Sequence, residues 1–283
     1  MLMADSSIVL MGERAEVRPT KKPRRWGNFL LTTFTLFTFA FLYIPIAVLI
    51  LFSFNSARGG AEWRGFTLQW YQRMFSNDDI IQATISTLTV ATLSTIGATI
   101  IGTLTALAME RYQFKSKTFW DGLLYMPVIV PEIVAGVSLL LFFAFIGIDR
   151  GLVTLVIAHI AFSMPFVYVT VRARLADFDR RVEEAAYDLG ANEFETFKRV
   201  TFPLLLPGII SGALLAFTLS LDDFIISFFV TGEGWNTLPV YIWALLKKSS
   251  SSTGEVNAIS ALLLLISILV VTVSLALQRK NTK

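Results

Sequence analysis

Apolar residues in this chain gather into six long runs, near 29–53, 80–108, 119–146, 151–174, 203–230 and 258–278, with short polar stretches between them. A helix rises about 1.5 Å per residue, so about 20 such residues cross the hydrocarbon core of a bilayer. Membrane strands would alternate in segments of about 10 residues, and these runs do not alternate. The pattern predicts an all-α integral membrane protein with six transmembrane helices. Runs two and five carry Thr, Ser and Gly among their apolar residues, which predicts packing against other helices rather than a full lipid face. Run three holds Pro127 and Pro131; proline cannot donate its helix hydrogen bond, so this span should bend.

Charge orients the bundle. With the N-terminus inside, 18 of the 24 Lys and Arg residues fall on the cytosolic side, the asymmetry expected of an inserted helical protein. Both termini and the segment 175–202 are then cytosolic. The net charge of +3 records topology and not nucleic-acid binding. The expected organisation is a basic tail over 1–27, a first helix and outer loop over 28–79, a membrane core over 80–278 and a cytosolic C-terminus over 279–283. The first run is too long for a signal-peptide core of about 7–15 residues and is expected to stay as an anchor. Trp63, Trp70 and Tyr71 in the outer loop predict an interfacial aromatic belt or a short surface helix. The outer segment 231–257, with Gly232, Gly234 and Pro239, offers turn chemistry and a surface for an external partner, and its run Ser249–Ser252 reads as a solvated loop. The chain has no cysteine, which excludes disulfides and thiol chemistry.

One polar stretch stands out, Glu183-Glu184-Ala185-Ala186-Tyr187-Asp188-Leu189-Gly190-Ala191. Asp179 can cap a helix in which Glu183 and Glu184 sit early and favour its dipole. Gly190 suits the left-handed residue that ends such a helix. A second short helix with Phe194, Phe197 and Val200 at helical spacing should follow and stop before Pro203. The product is a small hairpin carrying an apolar knob of Leu189, Ala191, Phe194 and Phe197, on its outside or against its own base. As pattern alone this is either a self-packed surface hairpin or a lever for another protein.

Three acids lie inside the runs: Glu132, about 20 Å deep, and Asp222 and Asp223, about 25–30 Å deep. An aspartate at a helix centre costs about 2.5–3.5 kcal/mol, so such groups face protein or water and have partners. Adjacent residues sit about 100° apart around a helix, so one aspartate can line a pathway while the other accepts internal hydrogen bonds. Both acting as buried acceptors that fix a helix break is the alternative. His159, the only histidine, is read as a hydrogen-bonded structural residue paired with Ser163 on its own helix face, with a proton relay as the alternative. Trp235, Tyr241 and Trp243 are read as interface anchors that could also stack on organic cations.

Glu184-Ala185-Ala186 with Gly190, followed by Val200-Thr201-Phe202-Pro203, resembles the EAA loop of type I ABC importer permeases, with the MetI-like architecture. Phe202 stands where that motif carries Leu. Ala216–Phe224 and Thr237-Leu238-Pro239-Val240-Tyr241 resemble the spermidine/putrescine permease subfamily, of the kind supplying the second permease subunit, and the likeness covers about 80–278. It implies a non-catalytic subunit of a bacterial inner membrane, coupled to its ATPase through Glu183, Glu184, Ala185, Ala186, Leu189, Gly190, Ala191 and Phe194. It further implies a second permease subunit, a dimer of ATP-binding subunits carrying ATP and magnesium, an extracytoplasmic solute-binding protein, and no cofactor in this chain. Consistently, the sequence lacks a G-x-x-x-x-G-K-[ST] phosphate loop. For a polyamine cargo, Asp222, Asp223 and Glu132 would line the pathway. Ferric iron, thiosulfate, phosphonate or opine-like cargo stays open, as does an ion-coupled secondary transporter, which would favour repeated discontinuous helices around a midplane site.

Overall fold

The computed structural model describes residues 25–57, 62–176, 178–248 and 253–280. The expected basic tail up to residue 24, the run Ser249–Ser252 and the last three residues lie outside them. Two compact units are present, Met1–Ala47 and Val48–Lys283. The described part of the first is the start of α1, which runs Arg25–Phe52 and is apolar throughout, with a mean hydropathy of 2.4 over Phe29–Phe52.

The second unit is helical: α2 Gln69–Ser76, α3 Asp78–Arg111, α4 Lys117–Ile129, α5 Glu132–Phe145, α6 Leu152–Ala176, α7 Arg181–Asp188, α8 Glu193–Thr196, a π-helical turn Phe197–Thr201, α9 Phe202–Leu221, α10 Ile225–Val230, α11 Leu238–Lys248 and α12 Thr253–Lys280. Among the described residues five helices are long and apolar enough to cross a membrane, and six spans result if the bent pair α4–α5 counts as one.

The third and fifth runs depart most from continuous helices. The third breaks at Val130-Pro131 with a turn of 107° between α4 and α5, because Pro131 can neither donate a bond nor leave its predecessor helical. The fifth breaks after Leu221, and three residues separate α9 from α10. The helix after Gly190 does not stop before Pro203. It continues through the π turn into α9, where Pro203 falls in the first turn and its missing N–H is tolerated.

α3, α6 and α9 form the centre. Of the α3 and α6 windows 44% is buried against 22% for α12, and small residues set the close approach. Gly102 on α3 and Gly212 on α9 both lie against Val167 of α6. Ala98, Ala106, Val167, Val171, Leu205 and Ala216 fill one core cluster. A second, with Val90, Phe143, Leu155, Ala158, Ile226 and Val230, joins α5 and α10 to α3 and α6. The Thr/Ser/Gly-bearing second run thus packs as expected.

Two outer-segment readings are refined. Trp70 and Tyr71 lie on a short helix, α2, one of the two expected outcomes, but Trp70 does not face the interface: it is 1% exposed, donates from Nε1 to the Asn55 carbonyl at 2.7 Å and packs where Gly254 leaves room. Within 231–257 the turns are followed by a helix that the sequence did not suggest, α11 at Leu238–Lys248, which buries Leu238 beside Met74, Ile80 and Ile259.

Candidate functional site

Two places bring the singled-out residues together. The first is the hairpin. The Asp179 carboxylate accepts from the Arg181 amide at 3.0 Å just ahead of α7, but the residue that precedes the helix is Arg180, whose side chain makes no cap bond. The end of α7 is a Schellman closure: Ala191 N donates to Ala186 O at 3.0 Å and Gly190 N to Tyr187 O at 2.9 Å, with Gly190 at φ +87°. α8 begins with a capping box that the sequence reading missed, although Asn192-x-x-Glu195 is its usual signature: Glu195 N donates to Asn192 Oδ1 and Asn192 N to Glu195 Oε2.

The apolar knob divides. Leu189 is 89% and Phe194 72% exposed, whereas Phe197 turns down onto the core cluster of α3, α6 and α9. Ala191 and Ala186 are half-buried; Ala185 and Glu184 are exposed. Glu183 points the other way. Its carboxylate pairs with Arg111 at the end of α3 and accepts from the Thr201 hydroxyl in the π turn. Adjacent acids 100° apart on a helix thus take opposite duties, one facing solvent and one facing the bundle.

The second place is where the two broken helices meet. α5 and α10 pack together, with Gly136 admitting Phe229, and this brings the start of α5 to the gap between α9 and α10. Asp223 is buried in that gap. Its Oδ1 accepts from Ile226 N at 3.2 Å and its Oδ2 from Ser227 N at 2.8 Å, so its carboxylate caps the free amides of α10. His159 of α6 stands over it, Nε2 3.3 Å from Asp223 Oδ2. The same ring reaches Ser220 Oγ through Nδ1 at 2.6 Å and Ser227 Oγ through Nε2 at 3.0 Å, so it straps α9 and α10 across their break. Ser220 in turn meets Ser94 of α3 at 3.0 Å.

His159 is therefore a buried hydrogen-bonded residue, as expected, but its partners are Ser220, Ser227 and Asp223. Ser163, the expected partner, has a buried hydroxyl with no hydrogen bond. A carboxylate against a bare ring nitrogen would set lone pair against lone pair, so Nε2 carries a proton toward Asp223.

Asp222 is exposed and Glu132 half-buried. Glu132 begins α5 directly after the Pro131 break, and its carboxyl lies within interaction distance of Asp223 with Asp222 nearby. Asp223 is the internal acceptor of the pair and Asp222 faces outward. Next to them Phe224, Phe228 and Trp243 form an aromatic group with centroids 5.2–5.9 Å apart. The Trp243 ring already carries a cation of its own chain, Lys247 Nζ, 5.2 Å from its centroid. Trp235 is half-buried and packs against the edge of the cluster around Val90 and Phe143. Among the described residues no group of His, Asp and Glu has the arrangement of a metal site.

Residues 98–282 match the family of binding-protein-dependent transport system inner membrane components. The chain belongs to this family. It is 44% identical over 257 residues, 91% of this chain and 97% of the relative, to the spermidine/putrescine transport system permease protein PotC of Escherichia coli K12. It is 37% identical to the putrescine transport system permease protein PotI of the same organism, over 80% of this chain and 82% of that one. In fold it resembles a bacterial ABC transporter involved in the import of the acidic polysaccharide alginate, with a TM-score of 0.72 at 17% identity over 91% of this chain and 96% of that one. It also resembles the MetNI methionine ABC transporter in an inward-facing conformation, with a TM-score of 0.60 at 17% identity over 73% of this chain and 100% of that one. The protein is thus a multi-pass inner-membrane permease subunit of an ABC importer with the MetI-like fold. It is non-catalytic, and ATP is hydrolysed by a separate subunit.

Proposed function

We propose that this permease carries polyamines, putrescine or spermidine, inward. The reading rests chiefly on its 44% identity with a spermidine/putrescine permease over nearly the whole of both chains. The acid cluster supports it chemically. A polyamine crossing a membrane must exchange the hydration of its ammonium groups for other oxygen partners, and Asp222 and Glu132 offer carboxylates at the meeting point of two helix breaks. Asp223, already engaged by two amides and His159, contributes by holding that break in shape. Phe224, Phe228 and Trp243 supply faces on which a methylene chain or an ammonium group can rest.

In this reading both termini and the hairpin lie in the cytosol. The exposed face of Glu184, Ala185, Leu189 and Phe194 docks on an ATP-binding subunit, one of a pair. A second permease subunit completes the pathway, and a solute-binding protein delivers cargo from the other side. Residues 80–278 are the working core, and the membrane lipid surrounds it.

The test is uptake of radiolabelled putrescine by the complete complex in proteoliposomes charged with ATP. Asp222→Asn and Glu132→Gln should each reduce uptake about tenfold or more, the size of a lost charge-assisted hydrogen bond of about 1.5–3 kcal/mol. Unchanged uptake in both variants would remove the cation pathway from this site.

A further inference from the structure

α7 is joined to the rest of the molecule in an unusual way for a lever. None of its residues is buried, and it packs mainly against its own partner α8 and the π turn. Apolar packing therefore ties it only weakly to the bundle. Polar bonds supply the rest. The Glu183 carboxylate takes both the Arg111 guanidinium, from the last residue of α3, and the Thr201 hydroxyl. Arg111 Nη2 also lies 3.4 Å from Thr201 Oγ1. One residue before α7, Arg180 donates from Nη2 to the Glu110 carbonyl at 2.9 Å, near the end of α3, and meets the Glu110 carboxylate at 3.5 Å. Two basic and two acidic side chains thus balance within one joint.

Position gives this joint its meaning. α3 is the 34-residue helix at the centre of the bundle, packed against both α6 and α9. Thr201 is fully buried and ends the π turn. Such turns mark places where a helix can change register, and they recur at functional sites. A displacement of α7 toward or away from the bundle has two places to arrive, the end of α3 and the π turn at the head of α9, and Glu183 holds both.

We propose that Arg111, Glu183 and Thr201, with the Arg180–Glu110 bond beside them, are the positioning residues that transmit hairpin movement to α3 and α9. This rests on the reading that the hairpin docks an ATPase, but assigns Glu183 to transmission and leaves docking to Glu184, Leu189 and Phe194. A carboxylate holding a guanidinium and a hydroxyl at once resists both pulling and shearing, where an apolar contact would slide. Breaking the joint should leave the docking face intact and free the lever to move without moving the bundle.

The experiment uses the complete complex, purified and reconstituted with ATP, its binding protein and radiolabelled putrescine. Three quantities are read: ATPase subunit retained per permease, ATP hydrolysed on addition of loaded binding protein, and putrescine taken up. Arg111→Gln and Glu183→Gln should keep the ATPase subunit at wild-type stoichiometry. Each should lower the uptake obtained per ATP about tenfold, within the range of coupling free energies between linked sites. The exchanged pair Arg111→Glu with Glu183→Arg should regain most of it, which a requirement for either residue at the docking face would not allow. Thr201→Val, the least disruptive change, should give a smaller loss in the same direction. Leu189→Asp serves as the contrast, since it should release the ATPase subunit; if it does not, the docking reading fails independently. Undiminished uptake per ATP in both single variants, loss of the ATPase subunit from them, or an exchanged pair no better than either single would overturn the assignment.

Discussion

Replacing Asp223 by alanine should do more structural damage than any other single change among the intramembrane acids. The side chain caps α10 through Ile226 N and Ser227 N and faces Nε2 of His159, all in a buried setting. Losing a cap of this kind costs about 1–2 kcal/mol. Leaving the buried Nε2–H of His159 without its acceptor costs about 1–3 kcal/mol more. The sum is about 2–5 kcal/mol. At about 2–4 °C per kcal/mol for a chain of this size, the melting temperature of the purified complex should fall by about 5–15 °C. Asp223→Asn keeps an oxygen for the two amides and loses the charge, so it should fall by about a third of that. Asp222→Asn, at an exposed position, should melt with the wild type. Intrinsic-fluorescence thermal unfolding of the detergent-solubilised complex measures all three side by side. An Asp223→Ala complex that melts within about 2 °C of wild type, or one more stable than Asp222→Asn, would refute the structural role given to Asp223.

Two glycines make separate claims. Gly190→Ala places a β-carbon on a left-handed residue at φ +87° and should cost about 1–2 kcal/mol locally, loosening the end of α7 and reducing transport while the complex still assembles; normal uptake and an unchanged proteolysis pattern at the hairpin would count against that closure. Gly232→Ala is harsher, because its β-carbon would stand 1.9 Å from the Arg150 carbonyl oxygen. The backbone must move, so the yield of folded complex on size-exclusion chromatography should drop severalfold, as for other overpacked sites, and an undiminished yield would show that the two loops are not in contact.

Much of this architecture is legible in the order of residues, and the failures share a cause. The long apolar runs set where α1, α3, α6 and α12 lie, because length and hydropathy alone are enough to require a helix in lipid. Gly190 marks the end of α7 through local backbone chemistry that needs no distant partner, while Asp179 lies one residue ahead of its N-cap, Arg180. α11 was invisible because 11 residues fall short of a span and its apolar side pays off only against Met74, Ile80 and Ile259. Trp70 reads as an interface residue until Asn55 and Gly254 are brought to it from either side of the chain. A helix break fixed by a buried aspartate is one of the two readings the sequence leaves open, but its partner is not legible there: His159, some 60 residues earlier, supplies the group that holds it. Nor does any local feature distinguish Glu183 from Glu184. Which of the two turns inward is decided by where α3 ends and leaves Arg111.

The central claim, that an ATP-hydrolysing subunit seats on the exposed tip of the α7–α8 hairpin, can be met with one residue. The chain has no native cysteine, so Leu189→Cys places a single thiol at that tip. In inside-out membrane vesicles containing the whole transporter, a short thiol-to-amine cross-linker should join it to the ATP-binding subunit, and a membrane-impermeant maleimide should reach it in such vesicles once the ATP-binding subunit is stripped away but not in intact spheroplasts. A thiol labelled only from the outer face, or one that never yields a product with the ATP-binding subunit while the complex still transports, would contradict the account.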